Sequence, residues 1–486
     1  MTTAPPLNFP TKLSYGIGQV AEGLKNASLG TFVLFYYNQV LGLPGTWAGL
    51  ALAIALIFDA FTDPLAGSVS DNWHSRQGRR HPFMYASAVP LGIAFYLLFA
   101  PPRGLSEFNL FLWLTTTIVL TRAAMTLYHV PHIALGAELS EDYVERTQVV
   151  SYRYFFGFVG YLLAYGIGFG WFFADTPEFP RGQFNVAGYA PFALLLSLGM
   201  FITIIWSGWG TRNRIPFLPP VPPQQEKLSA VRIVMRMFSE IKGALNNRFF
   251  LWLFSGALLI FMMVGVDGAL NLYMFEYFWA LDSNEKLMLM LLYPVGIMIG
   301  TMMTPALHRN FNKRAGVIIG IIGWSLCQIV PILLRFVGWF PENDSDLLAV
   351  TLTGIKFIQG LASAQSLVSF SSMVADIADQ HELTTGKRQE GIFFAASSFA
   401  TKTTSGIGSF IAGVGLDVIN WPRGEHIRSA ADIPPETLAN LAMLYGPIVA
   451  GFAVFSVLFT VQCKMNRADH ESIVEQLEKL RQQQTS

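Results

Sequence analysis

The chain has 486 residues, 52% of them hydrophobic and only 13% charged, where a soluble globular domain carries about 25% charged residues. A mean hydropathy of +0.43 points the same way, to a membrane protein. The 32 basic residues balance 32 acidic ones, which leaves no basic footprint for a nucleic acid. Cys327 and Cys463 offer no disulfide framework.

The N-terminal stretch MTTAPPLNFPTKLSYG has neither the apolar core nor the cleavage site of a signal peptide, so the first span is expected to remain and act as the insertion signal. Apolar runs of the length needed to cross a bilayer, about 20 residues, then recur along the whole chain. They lie at 13–41, 46–70, 82–101, 107–138, 149–173, 188–209, 249–279, 287–307, 315–339, 347–375, 390–416 and 439–463. The expectation is an all-α membrane protein of twelve transmembrane helices, with both termini on one side.

Basic residues in short loops decide which side. Arg76, Arg79 and Arg80 follow span two, Arg309, Lys313 and Arg314 follow span eight, and Lys387 and Arg388 follow span ten. The opposite loops are nearly bare, so both termini are expected in the cytoplasm. The proline-rich run PFLPPVPPQQEK divides the spans six and six and reads as a semi-rigid linker. This gives an N-terminal bundle at 1–210, a cytoplasmic linker at 211–248, a C-terminal bundle at 249–463 and a cytoplasmic tail at 464–486. Ala137-Glu138-Leu139 and Ala375-Asp376-Ile377 open similar stretches in the two halves, the mark of a repeat in one orientation. In the tail, Ile473, Leu477 and Leu480 share one helical face, which reads as a short solvated helix.

Span two carries IFDAFTDPLAGSVS, residues 57–70. A carboxylate in hydrocarbon costs about 2.5–3.5 kcal/mol even on the lenient insertion scale, and this segment holds two, Asp59 and Asp63, one helical turn apart. Two such carboxylates cannot both stay ionised without a counter-charge, so one holds a proton or a cation sits between them. Pro64 frees a backbone carbonyl nearby and Thr62 adds a hydroxyl. Oxygen-rich ligation of this kind suits a hard cation such as Na⁺, or a proton relay. The competing reading is structural, with both aspartates bridging to neighbouring helices.

Other polar residues lie within the spans: Glu22, Lys25 and Asn26 in one; Arg122, Thr126, His129 and His132 in four; Asp267, Asn271 and Glu276 in seven; Lys356 and Gln359 in ten. For each, helix-to-helix pairing and cavity lining stand as equal readings. Glu22 and Lys25 can pair with each other at i,i+3. Arg153 begins span five, where a structural contact and a substrate contact are both open. Lys402 lies mid-span in eleven, too deep to snorkel easily, and is expected to balance the aspartates. Asp71, Arg76, Arg79, Glu138, Asp376 and Arg388 sit at the cytoplasmic ends and read as gate or latch residues, against the plain alternative of positive-inside topology. No phosphate-binding lysine loop, HExxH pair or GxSxG elbow is present, so no enzyme is expected.

Together KLSYGIGQ, DAFTDPLAG, SRQGRRHP, HVPHIALGAELSEDYVERTQVVSYR and ADIADQHELTTGKRQEGIFFAASSFATKTTSG resemble the glycoside–pentoside–hexuronide:cation symporter family, whose type member is melibiose permease. The resemblance covers nearly the whole chain. It implies the major facilitator fold of two six-helix bundles with a cavity between them and alternating access, and symport of a sugar or glycoside with Na⁺, Li⁺ or H⁺. No other cofactor is implied; the partners are the small-molecule substrate and membrane lipid, and the chain is expected to act as a monomer in the plasma membrane of a bacterium. It also implies that Asp59 and Asp63 bind the coupling cation, with Thr62 where the type member has an asparagine, Thr126 beside them, and Lys402 as the span-eleven lysine. The type member's sugar contacts fall on different residues here. Its span-one acid falls on Gly23, next to Glu22; its span-four aspartate falls on His129; and its span-five arginine falls at Tyr154 or Arg153.

HVPHIAL also resembles the sodium-dependent lysophosphatidylcholine symporters, which share the DAxTDP element and the span-eleven lysine. An amphipathic lipid is therefore the alternative substrate. A ligand-binding sensor without net transport is a third reading, unsupported by any signalling segment in loops or tail.

Overall fold

The computed structural model describes residues 5–140, 142–218, 230–343, 345–386, 389–424, 427, 429–465 and 467–485. Among them all regular structure is helical. Ten helices are long and apolar enough to cross a membrane. They are spans two to ten and span twelve, from Gly45–Asp71 to Pro435–Gln462. The other two expected spans are helical as well. Span one is built from Phe9–Ile17 and Gln19–Thr31, and span eleven is Glu390–Val418. Glu22, Lys25 and Lys402 dilute the apolar character of these two.

Most spans begin where the sequence supplies a short polar side chain. Asn8, Ser106 and Asp142 accept from the backbone N–H three residues on, and Asn247 caps Arg248–Tyr273 through the N–H groups of Phe249 and Phe250. Each such cap satisfies backbone N–H donors that the first turn of a helix leaves without an intrahelical partner. Span ten, Asp346–Thr385, stops at Gly386, whose φ of 68° is the left-handed conformation that glycine adopts without strain.

The chain packs as two units. The first holds residues 1–234 together with 282–287 and 410–433. In it span four packs on spans two and three, and span one packs on spans five and six. The second holds 235–281, 288–409 and 434–486. There span nine packs on ten, span twelve on seven and nine, and the tail helix Arg467–Thr485 on span ten. The chain passes between units within the 211–248 segment, which includes the helix Ala230–Leu245.

The repeat glimpsed in the sequence is explicit in the backbone. Span one ends in a π-helical turn, Tyr36–Val40, and span seven ends in another, Met274–Phe278. Leu41 N–H donates to Tyr36 C=O, and Trp279 N–H to Met274 C=O, at 2.9 Å in both. Leu43 then donates to Tyr37, and Leu281 to Phe275. Between them Gly42 and Ala280 both take positive φ, 78° and 52°. The same exit from a span is thus built twice, by unlike residues.

Candidate functional site

Asp59 and Asp63 share one face of Gly45–Asp71, in the first unit. Asp59 is 6% exposed. Span four, Glu107–Glu138, brings two side chains against them. The Thr126 hydroxyl lies 2.8 Å from Asp59 Oδ1 and 2.9 Å from Asp63 Oδ1. Arg122 Nη1 donates to Asp59 Oδ2 at 3.2 Å. Thr62 turns the other way, its hydroxyl donating to the Asp59 backbone carbonyl at 3.3 Å. Arg122 is therefore the counter-charge that Asp59 finds within its own unit. In the sequence a structural and a functional role for it stand as equal readings; its spacing of four residues from Thr126 is the available signal. Lys402 is half-buried on Glu390–Val418, in the second unit.

A hydroxyl has one proton. With both carboxylates ionised, Thr126 can donate to only one of them. A cation between the oxygens would satisfy the other close contact. Two carboxylates and a hydroxyl, from two helices, are an all-oxygen donor set of the kind hard cations prefer.

The same stripe of span four continues into a cavity. Arg122, Thr126, His129 and Ile133 recur at helical spacing along one face. His129 and Ile133 line a cavity of about 310 Å³ with Glu22, Asn26, Arg153 and Tyr154. Glu22 accepts from Lys25 Nζ at 3.1 Å and from Asn26 Nδ2 at 2.9 Å, and His129 Nδ1 lies 3.9 Å from its second oxygen. Arg153 lies over the Tyr154 ring at 5.1 Å and, among the described residues, has no carboxylate within ion-pair reach. Lys25 neutralises Glu22, so Arg153 gives the cavity a positive balance. Tyr161 and Phe158 complete an aromatic wall.

Gly23 explains why the acid sits at Glu22. A Cβ at residue 23 would meet the carbonyl oxygen of Gly157 and stand 2.8 Å from the Cα of Gly160. Spans one and five touch backbone to backbone there, so no side chain fits, and the neighbouring position faces the cavity instead.

Asp267 lies on Arg248–Tyr273 in the second unit, hydrogen-bonded to Tyr445. The residues expected as a latch divide between the units. Glu138 takes Arg79 Nη2 at 2.9 Å and Arg80 Nη2 at 2.6 Å, and Arg80 also reaches Asp71 and the Ser70 hydroxyl. Arg80, 3% exposed, is the centre of this group. Arg76 is exposed on the loop. In the second unit Asp376 accepts from Lys313 at 2.7 Å and faces His470 of the tail helix at 3.4 Å. His470 also meets Asp379 at 3.1 Å, so the tail helix is docked rather than merely solvated. Arg388 lies outside the described residues. Glu138 and Asp376 open the two matching sequence stretches, and each holds basic side chains from the join of the second and third helices of its own half, Arg79 and Arg80 in one and Lys313 in the other.

A family described as MFS/sugar transport protein matches residues 14–467. An uncharacterised symporter of Synechocystis sp. is 23% identical, with 98% of each chain covered. The isoprimeverose transporter of Lactiplantibacillus pentosus is 22% identical over 92% of this chain and 88% of that one. Among solved structures, a D-xylose–proton symporter aligns with a TM-score of 0.62 at 13% identity, over 94% of this chain and 97% of that one. That likeness establishes the major facilitator fold, an all-α membrane architecture.

Proposed function

The chain belongs to the MFS/sugar transport protein family, transporters rather than enzymes, and on that premise we propose that it is a cation-coupled symporter of a sugar or glycoside. The observation that carries the reading is one helix face. Arg122 and Thr126 meet Asp59 and Asp63, and one to two turns on His129 and Ile133 enter the cavity of Glu22 and Arg153. The coupling ion, Na⁺, Li⁺ or H⁺, is held by Asp59, Asp63 and Thr126. Arg122 neutralises Asp59 when the ion has left. Ion and substrate then act on one rigid element, so each raises the affinity of the other by the same factor.

The cavity favours a hydroxyl-rich ligand. Glu22 and Asn26 supply an acceptor and a donor, Tyr154 and Tyr161 supply ring faces, and Arg153 favours a glycoside that carries an acidic group, such as a uronide. A lipid substrate would need a long apolar channel, and the two relatives described above are named as a symporter and an isoprimeverose transporter, not as lipid carriers. Arginine and lysine crowd the loops after spans two and eight, which supports a plasma-membrane protein with both termini in the cytoplasm.

The test is thermal stability in lipid nanodiscs, in Na⁺ and in choline at one ionic strength, with methyl pyranosides, uronides and lysolipids added. A ligand at a hundred times its Kd stabilises by about 2.7 kcal/mol. A sugar-dependent shift that grows in Na⁺, or in acid for H⁺ coupling, is expected. A shift with lysolipid alone would overturn the reading.

A further inference from the structure

The second unit contains a charged cluster that neither the ion site nor the cavity of the first unit uses. Asp267 is on span seven, Lys356 and Gln359 on span ten, Gln328 on span nine and Tyr445 at the start of span twelve. All five belong to one unit. Tyr445 donates its hydroxyl proton to Asp267 Oδ1 at 2.5 Å. Lys356 Nζ donates to Gln359 Oε1 at 2.8 Å and to the Tyr445 hydroxyl at 3.4 Å. Gln359 in turn donates to Gln328, which donates to the Tyr445 carbonyl at 2.7 Å.

The pair at the centre is not closed. Lys356 Nζ stands 3.9 Å from Asp267 Oδ1, beyond hydrogen-bond reach. Among the described residues Asp267 accepts a hydrogen bond at one oxygen only, and Lys356 directs two of its three N–H groups at named acceptors. An acceptor and a donor thus remain side by side. Both side chains keep some exposure, 15% and 14%. Two aromatic rings flank the ammonium, Phe275 at 5.4 Å and Tyr293 at 5.9 Å.

A purely structural ion pair has little reason to be arranged so. A buried pair replaced by apolar residues of similar volume is commonly neutral or stabilising, and membrane-embedded charges mark function by default. A carboxylate oxygen beside an ammonium recognises neighbouring hydroxyls: one hydroxyl donates to the acid and the next accepts from the amine.

We propose that Asp267 and Lys356, oriented by Tyr445, Gln359 and Gln328, form a polyol-binding subsite of the second unit that takes two adjacent hydroxyls of a pyranose ring. The inference rests on the sugar-transport reading and deepens it, because it gives the second unit its own part in recognition. Asp267 is the hydroxyl acceptor. Lys356 is the donor. Tyr445 is a positioning residue that fixes the carboxylate.

The experiment measures binding to the full chain in nanodiscs by calorimetry, in the salt that gives the tightest binding. The probes are methyl glucoside, galactoside, xyloside and glucuronoside, each with its monodeoxy forms. Asp267→Asn, Lys356→Gln and the double variant are compared with the natural chain, and Tm is recorded for each. In the single variants the affinity for the bound pyranoside is expected to fall at least tenfold, while one monodeoxy form binds natural and variant chains alike. The double variant removes both charges, so its Tm is expected to recover while its affinity does not. Natural affinity in the single variants, or recovery of affinity together with Tm in the double variant, would overturn the subsite and leave sugar transport standing. If no pyranoside binds the natural chain in any salt, the transport reading itself fails and the subsite with it.

Discussion

Arg122 holds Asp59 across spans four and two, Nη1 to Oδ2 at 3.2 Å, with both side chains almost buried. The contact makes the cation-free site electrically tolerable. It also sets up a competition, since an arriving cation takes over part of the neutralisation that Arg122 provides.

Arg122→Gln is therefore expected to act in opposite directions on stability and on ion affinity. Breaking a buried pair costs about 3–5 kcal/mol, and the loss is expected in choline. In Na⁺ most of it is regained, because the ion now supplies the counter-charge, and the apparent ion affinity rises. Unfolding in both salts checks this. An equal loss in both would remove Arg122 from the ion cycle.

Thr126 tests the bridge between the aspartates. Thr126→Val keeps the volume and deletes the hydroxyl that lies within 2.9 Å of both carboxyls. Apparent Na⁺ affinity is expected to fall about tenfold, the worth of one hydrogen bond to a charged group at about 1.5 kcal/mol. Thr126→Ser retains the oxygen and is expected to retain the affinity. Titration of the Na⁺-dependent Tm shift distinguishes the two variants.

The two acid–base groups at the span ends differ in burial, so their variants differ in cost. Glu138 sits against Arg80, a side chain only 4% exposed. Glu138→Gln is expected to cost about 3 kcal/mol, because among the described residues it leaves exposed Asp71 as the one carboxylate on a buried guanidinium. Lys313, opposite Asp376, is 33% exposed, so Asp376→Asn is expected to cost about 1 kcal/mol or less. Denaturant titrations of the two variants give the order. The reverse order would show that burial does not govern these pairs.

Gly23→Ala is expected to loosen spans one and five by about 1–3 kcal/mol, the usual cost of overpacking. Its Cβ would meet the Gly157 carbonyl oxygen. The helices can relieve that contact only by separating, which also moves Glu22. Tm and ligand affinity are expected to fall together, whereas Gly30→Ala, where a Cβ meets nothing, is expected to leave affinity unchanged and to hold or slightly raise Tm.

Asp175, in the connection between spans five and six, gives the pH dependence. Its loss of hydration raises the carboxyl's pKa, but N–H donors from Gly182 and Ser283, the Ser283 hydroxyl and the charge of Lys286 outweigh that and hold it below the ordinary carboxylate value. A depressed folded-state pKa adds stability above the unfolded-state value, near pH 4, and that stability is lost as pH falls through the folded value. Asp175→Asn is expected to lower Tm at pH 7, and the difference is expected to close as pH falls through the depressed folded-state value. A constant difference across that range would mean that the charge of Asp175 contributes nothing.

Much of the architecture follows from the sequence alone. Twelve apolar runs, the loop charges and the repeated acid at Glu138 and Asp376 require only hydropathy and spacing, because in hydrocarbon the backbone must close its hydrogen bonds within each helix. Asp59 and Asp63 were legible for the same reason, since two carboxylates one turn apart in an apolar segment demand compensation. That Arg122 and Thr126 reach them was not legible from spacing. Spacing within span four places Arg122 and Thr126 on one face but does not say which neighbour that face meets. That was decided by packing of span four on span two. Tertiary structure likewise closed spans one and five so tightly that Gly23 admits no side chain, and gathered Asp267, Lys356 and Tyr445 from three distant stretches of chain. Local sequence determines the helices and where charge is costly. Only the contacts between helices determine which charge meets which, because those pairings depend on rotation and register that no single segment encodes.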